Sequence, residues 1–309
     1  MYHWNVDVSI LAEPCIEWRD TIPHKIVQEI SRKYDKTSTW MVATSTCYSG
    51  SFVKPEGALV YSNSVVSGRI IHRGTDPWGY GRWAYKNYAG KDGISLLIIG
   101  GYRVEHISNI PGASTAWYQQ KVLLTKDKRE IEPEVAFLTD MEEWLRMKSD
   151  DKTEILLFLD TNEHWTDNSK IVEFANTMGL YKLNIKGDFK FHVSHPCITN
   201  KERDTTIDYC LYSAHDLECV SYATMTPYDL HSLGDHMGIL IDIDFKRLMN
   251  TKNEEIAVHI GKKLSTGHPR ATQKYLQLVE ERFSDQNTFE RTKNYTINGD
   301  NRNFRSGRL

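Results

Sequence analysis

Five short stretches in which an apolar run meets a carboxylate, an amide, a phenol or an imidazole constrain this chain more than any other feature. They are Ile10-Leu11-Ala12-Glu13, Ile98-Ile99-Gly100-Gly101-Tyr102, Leu157-Phe158-Leu159-Asp160-Thr161-Asn162, Thr206-Ile207-Asp208-Tyr209 and Gly234-Asp235-His236, the last opening onto Gly238-Ile239-Leu240-Ile241. Apolar runs this short, bounded by polar or turn residues, fit buried strands better than helices. A buried strand that stops at a polar group delivers that group to the rim of a sheet. With 309 residues, 40% of them hydrophobic, the chain can bury a full core in one large domain or two modest ones.

Helical patterns alternate with the strands. Ile22, Ile26, Val27, Ile30 and Tyr34 fall on one face of a helix that opens at Thr21-Ile22-Pro23. Pro133 starts another, with Phe137, Leu138, Met141, Trp144 and Leu145 as its buried stripe, and Ile171, Phe174, Ala175 and Met178 form a third, closed by Gly179. Residues 39–72 read as strands broken by the turn Lys54-Pro55-Glu56-Gly57, and the Gly- and aromatic-rich stretch from Gly74 to Gly93 as a loop and hairpin. Strands and helices mixed irregularly predict a layered α/β body with mixed sheets. Past Phe245 the character changes: a helix is expected over residues 270–283, then a polar, disordered tail from Thr288.

Charge divides the same way. The net charge of −3 excludes a chain that coats nucleic acid along its whole length, but residues from Lys246 onward carry 13 Lys+Arg against 7 Asp+Glu. An acidic body with a basic extension fits a metal-binding core followed by a segment able to lie on phosphates. The five cysteines show no C-x-x-C spacing, so neither a disulfide framework nor a thiolate zinc site is expected. No apolar run nears the ~20 residues of a bilayer span, and the start Met1-Tyr2-His3-Trp4 lacks a signal peptide's basic and apolar regions. A soluble intracellular chain, nuclear or cytoplasmic, with no membrane partner is the expectation.

The polar groups themselves suggest a chemistry. Glu13 is a hard oxygen ligand suited to Mg²⁺, with Glu17 as its rival. Asp160 and Asn162, two apart, can hold a water and donate to a phosphoryl oxygen. Asp208 can fix the tautomer of His236, leaving Asp235 to face a metal. Tyr102 can donate to a phosphate, and Arg103 can clamp one.

In order and spacing, Glu13, Tyr102, Asp160-Thr161-Asn162, Ile207-Asp208-Tyr209 and Asp235-His236 resemble the motifs of the endonuclease/exonuclease/phosphatase superfamily across residues 6–245. Tyr102-Arg103, Gly81-Arg82-Trp83 and the stretch from His268 to Arg291 resemble the apurinic-type endonuclease domains of non-LTR retroelements. The resemblance implies a four-layer α/β sandwich, two mixed sheets face to face with helices outside, over residues 1–247, and a basic helical and disordered extension over 248–309. It implies Mg²⁺, or Mn²⁺, on Glu13 and Asp235. It also implies Asp160 and Asn162 placing water, His236 oriented by Asp208 at the phosphate, Tyr102 touching it, and DNA as partner. A phosphatase, an RNA-directed member and a catalytically impaired remnant that only binds nucleic acid are the alternatives. Family members carry an earlier strand with an asparagine near the metal, and only 12 residues precede Glu13 here; Glu105 stands where apurinic endonucleases have asparagine, and Thr161 replaces their phenylalanine.

Overall fold

The structure, a computed structural model, describes residues 6–19, 21–47, 54, 56–90, 92–106, 112–184, 207–213, 219–225, 236, 238–244, 247–248 and 269–285. The chain divides into a body, residues 1–256, and a C-terminal unit, residues 257–309.

Six strands make the principal sheet of the body: β4 (Ile70–Thr75), β5 (Trp83–Ala89), β6 (Ser95–Tyr102), β7 (Thr153–Asp160), β8 (Leu180–Lys182) and β9 (Asp208–Ser213), in the order β4-β5-β6-β7-β9-β8. β6 and β7 run parallel and every other pair antiparallel, so the sheet is mixed. Strict alternation gives it two apolar faces. Leu97, Ile99, Ile155, Leu157, Leu159, Tyr209 and Leu211 face two helices, α4 (Pro133–Lys148) and α5 (Lys170–Met178), and meet Phe137, Met141, Trp144, Ile171 and Phe174. Leu96, Ile98, Leu156, Cys210 and Tyr212 face the other way. Each fully buried side chain of this size is worth about 1.5–3 kcal/mol.

The second face is covered by two smaller antiparallel sheets. One has three strands, β1 (Val8–Ala12), β2 (Thr39–Ala43) and β3 (Ala58–Ser62), in the order β1-β3-β2; the other pairs β10 (Val220–Met225) with β11 (Ile239–Ile243). Val8 and Ile10 of β1 and Ile241 and Ile243 of β11 pack on the same apolar cluster of the principal sheet. The layered arrangement is the expected one. Among the described residues the second layer is two antiparallel pieces, with no strand that pairs with both β1 and β11. Gly100 sets the spacing where β1 crosses β6: a Cβ there would stand 2.3 Å from Ile10 Cγ2.

The sequence signals for helix ends hold. Pro133 is at the start of α4, with Arg146 and Lys148 in its last turn, and Gly179 closes α5 in the left-handed conformation, φ 63°. Two helices carried no usable signal. One is the single turn α2 (Ser64–Ser67), capped by Asn63; the other, α3 (Ala116–Lys126), buries Gln119 and Gln120 beside Leu123 and Leu124, so its buried face does not read as apolar. α1 (Thr21–Tyr34) corrects an expectation. Its isoleucines Ile22, Ile26 and Ile30 are about half exposed, whereas the face toward the protein carries Pro23, Val27 and Ser31 and the His24 ring against Trp40 of β2.

The C-terminal unit contains one described helix, α6 (Pro269–Asp285), on which Tyr275, Leu276, Leu278 and Phe283 are exposed. The tail expected to be disordered lies outside the described residues.

Candidate active site

Three of the polar strand ends are brought side by side by sheet register alone. Tyr102 at the end of β6 is opposite Asp160 at the end of β7, and Asp160 is opposite Asp208 at the start of β9. Neighbouring strands are ~4.8 Å apart, so these groups span one narrow rim. Thr161 ties the rim together: its N–H and its hydroxyl both donate to the Ile207 carbonyl, at 3.0 and 2.8 Å. The sequence marks this threonine only as standing where apurinic endonucleases have phenylalanine; its work is done by a hydrogen bond to a residue 46 positions away.

The facing sheet supplies Glu13. Just past β1 it adopts a left-handed backbone, φ 46°, and its N–H donates to the Gly57 carbonyl at 3.0 Å. A non-glycine residue in that conformation carries strain, held here by its surroundings. The Tyr102 hydroxyl donates to the Glu13 carboxylate. Burial, and then the charges of Glu13 and Asp160, push the Tyr102 phenol well above its ordinary range, so it keeps its proton.

Asp160 is 6% exposed, and its carboxyl is pushed up to about 7. Burial is the chief cause, the charge of Asp208 adds to it, and the His236 ring opposes them. His236 Nδ1 lies 2.6 Å from Asp208 Oδ2, the imidazole 40% exposed and the carboxylate 23%. Asp160, Asp208 and His236 offer ligand atoms all within 4.8 Å of one another, the one such metal-capable group of three or more among the described residues. Such a group could hold an ion, but the 2.6 Å contact already engages Asp208 with His236 Nδ1, which suits the pair to act on a phosphate oxygen.

Other expected site residues are placed differently. Asn162, also left-handed at φ 50°, donates its backbone N–H to Asp160 Oδ1 at 3.2 Å and its side-chain amide to the Arg103 carbonyl at 2.8 Å. One of its two amide hydrogens is therefore used internally. Arg103 is buried: Nε donates to the Glu134 carbonyl, and Nη1 to the Thr161 carbonyl and the Glu163 carboxylate, each at 2.9 Å. These contacts brace the loop after β7 against the first turn of α4. Glu17, the rival of Glu13, is buried in an ion pair with Arg19 at 2.7 Å. Burial raises its carboxyl, but the Arg19 hydrogen bonds and the Lys54 charge outweigh it and hold the group down at about 2. Arg82 is likewise internal, paired with Asp76 at 2.6 Å and Asp140 at 2.7 Å. Asp235 and the stretch 186–206 lie outside the described residues.

No protein-family model matches the sequence, and no curated protein matches it either. Solved structures do match in three dimensions. An endonuclease/exonuclease/phosphatase family protein from Leptotrichia buccalis is 15% identical, with 79% of this chain and 89% of that one aligned at a TM-score of 0.52. An AP endonuclease from Archaeoglobus fulgidus is 12% identical over 79% of this chain and 91% of its own, at 0.50. The endonuclease domain of TRAS1, a telomere-specific non-LTR retrotransposon, is 12% identical over 78% and 88%, at 0.47. The chain has the endonuclease/exonuclease/phosphatase fold.

Proposed function

We propose that this protein is a metal-dependent phosphodiester hydrolase, and more specifically a DNA endonuclease of the retroelement type. The observation that carries this reading is the convergence of Glu13, Tyr102, Asp160, Asp208 and His236, five groups from separate segments, on one strand-end rim. The motifs that resemble retroelement endonuclease domains favour DNA over a small phosphoester.

Each residue has a task set by its surroundings. Asp208 holds Nδ1 of His236, so Nε2 is directed away from the pair and can donate to, or accept from, an oxygen of the scissile phosphate. Asp160, raised to about 7, can take a proton from an attacking water near neutral pH. Asn162 has an amide hydrogen left for a phosphoryl oxygen, and Tyr102, always protonated, remains a donor at the rim. Glu13, with Asp235 as a further candidate, would hold a divalent cation, Mg²⁺ or Mn²⁺. When bound, such an ion supplies Lewis acidity that offsets the charge developing on the phosphoryl oxygens. Arg103 acts as a positioning residue, keeping the Asp160–Asn162 loop in place.

The test is nicking of supercoiled plasmid with Mg²⁺ or Mn²⁺. Asp160→Ala and His236→Ala are each expected to lose about 10²–10⁴-fold in rate, with thermal melting showing an intact fold. Undiminished nicking in either variant would reject the assignment. Release of inorganic phosphate from small monoesters, without nicking, would move the reading to a phosphatase.

A further inference from the structure

A second imidazole–carboxylate pair lies beyond the end of β6, and the catalytic assignment above does not use it. His106 Nδ1 is 2.6 Å from Glu134 Oε1, while Glu134 Oε2 accepts from the Trp117 indole N–H at 3.1 Å. The Glu134 side chain is 4% exposed and the His106 side chain 75%. A carboxylate clamped at both oxygens in the interior thus stands directly behind an imidazole in solvent. This is the construction of Asp208 and His236, with the carboxylate buried more deeply.

A buried carboxylate is strongly disfavoured unless donors or a cation meet it, and here the Trp117 N–H and the His106 ring do. Arg103 contributes its charge nearby, but its Nε donates to the backbone carbonyl of Glu134, so the side chain that links the carboxylate to solvent is His106. With Nδ1 engaged, the ring presents Nε2 outward. In the doubly protonated ring both nitrogens are donors, so that with Nδ1 on Glu134 the outward Nε2 is the atom placed to meet an anion from solvent.

The pair is also fastened to the hydrolytic rim. Arg103 spans the two: its N–H donates to the Asp160 carbonyl at 2.9 Å, and its side chain reaches Glu134. His106 is four residues past Tyr102, so their Cα atoms are at most about 14 Å apart. A nucleic-acid strand advances ~3.4 Å per nucleotide along its axis. His106 is therefore within reach of a phosphate no more than about four nucleotides from a bond held at Asp160.

We propose that His106, oriented by the buried Glu134, is a second phosphate contact, and that the cleft is built for a nucleic-acid strand rather than for a compound with a single phosphate. This rests on the hydrolase reading of the rim but is tested apart from it. The full chain, with EDTA present, is titrated against a short fluorescent DNA duplex from about 50 to about 200 mM salt. His106→Gln is expected to weaken binding about three- to ten-fold and to make the salt dependence shallower by about 0.9, one released counterion. His106→Arg is expected to restore the slope. Equal slopes in wild type and His106→Gln would overturn the proposal. So would no duplex binding by the wild type, or a lowered melting temperature with an unchanged slope, the mark of a purely structural pair. Because binding is read without metal, a protein that fails to nick plasmid still returns a slope, and the two readings fail separately.

Discussion

Leu157 at the centre of β7 is wholly buried beneath two helices, whereas Ile26 on α1, no less apolar, is half exposed. The contrast extends to the layers around them. The principal sheet and α4–α5 form a continuous core, while β1 and β2 are mostly half-buried and the ring contact of α1 with them is that of His24 with Trp40 of β2. Asp160 and Tyr102 stand on the firm half, and Glu13 comes from the thin one. Catalytic geometry is only as precise as its less rigid support, so stabilising the thin half should matter more to the site than to the fold.

The sharpest way to break this comparison is to remove one apolar side chain from each half. Leu157→Ala is expected to cost about 2–5 kcal/mol in chemical denaturation, the usual price of a large-to-small change in a closed core. A loss below ~1 kcal/mol would mean that the principal sheet is not the firm half.

An intermediate effect is expected at the bolt between the halves. Lys86 on β5 is buried and reaches across to the Thr39 carbonyl at 2.8 Å and the Ser62 hydroxyl at 2.8 Å, on β2 and β3. Burial, and then the like charge of Arg73, lower its amine to about 7. Its folded pKa is below its unfolded value of ~10.4, so between those two values the unfolded chain binds more protons and stability rises with pH. The rise from this group is at most about 1.4 kcal/mol per pH unit. It should be lost as pH falls toward 7, and be absent from Lys86→Met in denaturation measured across that window. The same slope in both proteins would show that the amine stays charged.

The smallest effect belongs to α1. Ile26→Ser should change stability by less than about 0.5 kcal/mol. A loss of several kcal/mol would show the exposed stripe to be essential and the halves to be equal.

How much of this was legible depended on what each residue answers to. The strand ends Tyr102, Asp160 and Asp208 were readable because period-two burial and an abrupt polar stop are local, and register then aligned them. Gly179 and Pro133 were readable because they act on their own backbone. α3 was not, since Gln119 and Gln120 are buried without breaking the helix. The stripe on α1 was misread because periodicity shows that a face exists, not that anything covers it. Thr161, Arg103 and the His106–Glu134 pair depend on partners far along the chain, and no spacing rule reaches that far.

Gly100 carries a last consequence. Because it bears no side chain, Ile10 can rest against the backbone of β6, three residues before Glu13 and two before Tyr102. The hydroxyl–carboxylate bond across the cleft is thus gauged from behind by a missing carbon atom. Any larger residue at 100 would work as a shim, prising the two carriers apart without touching a single reactive group.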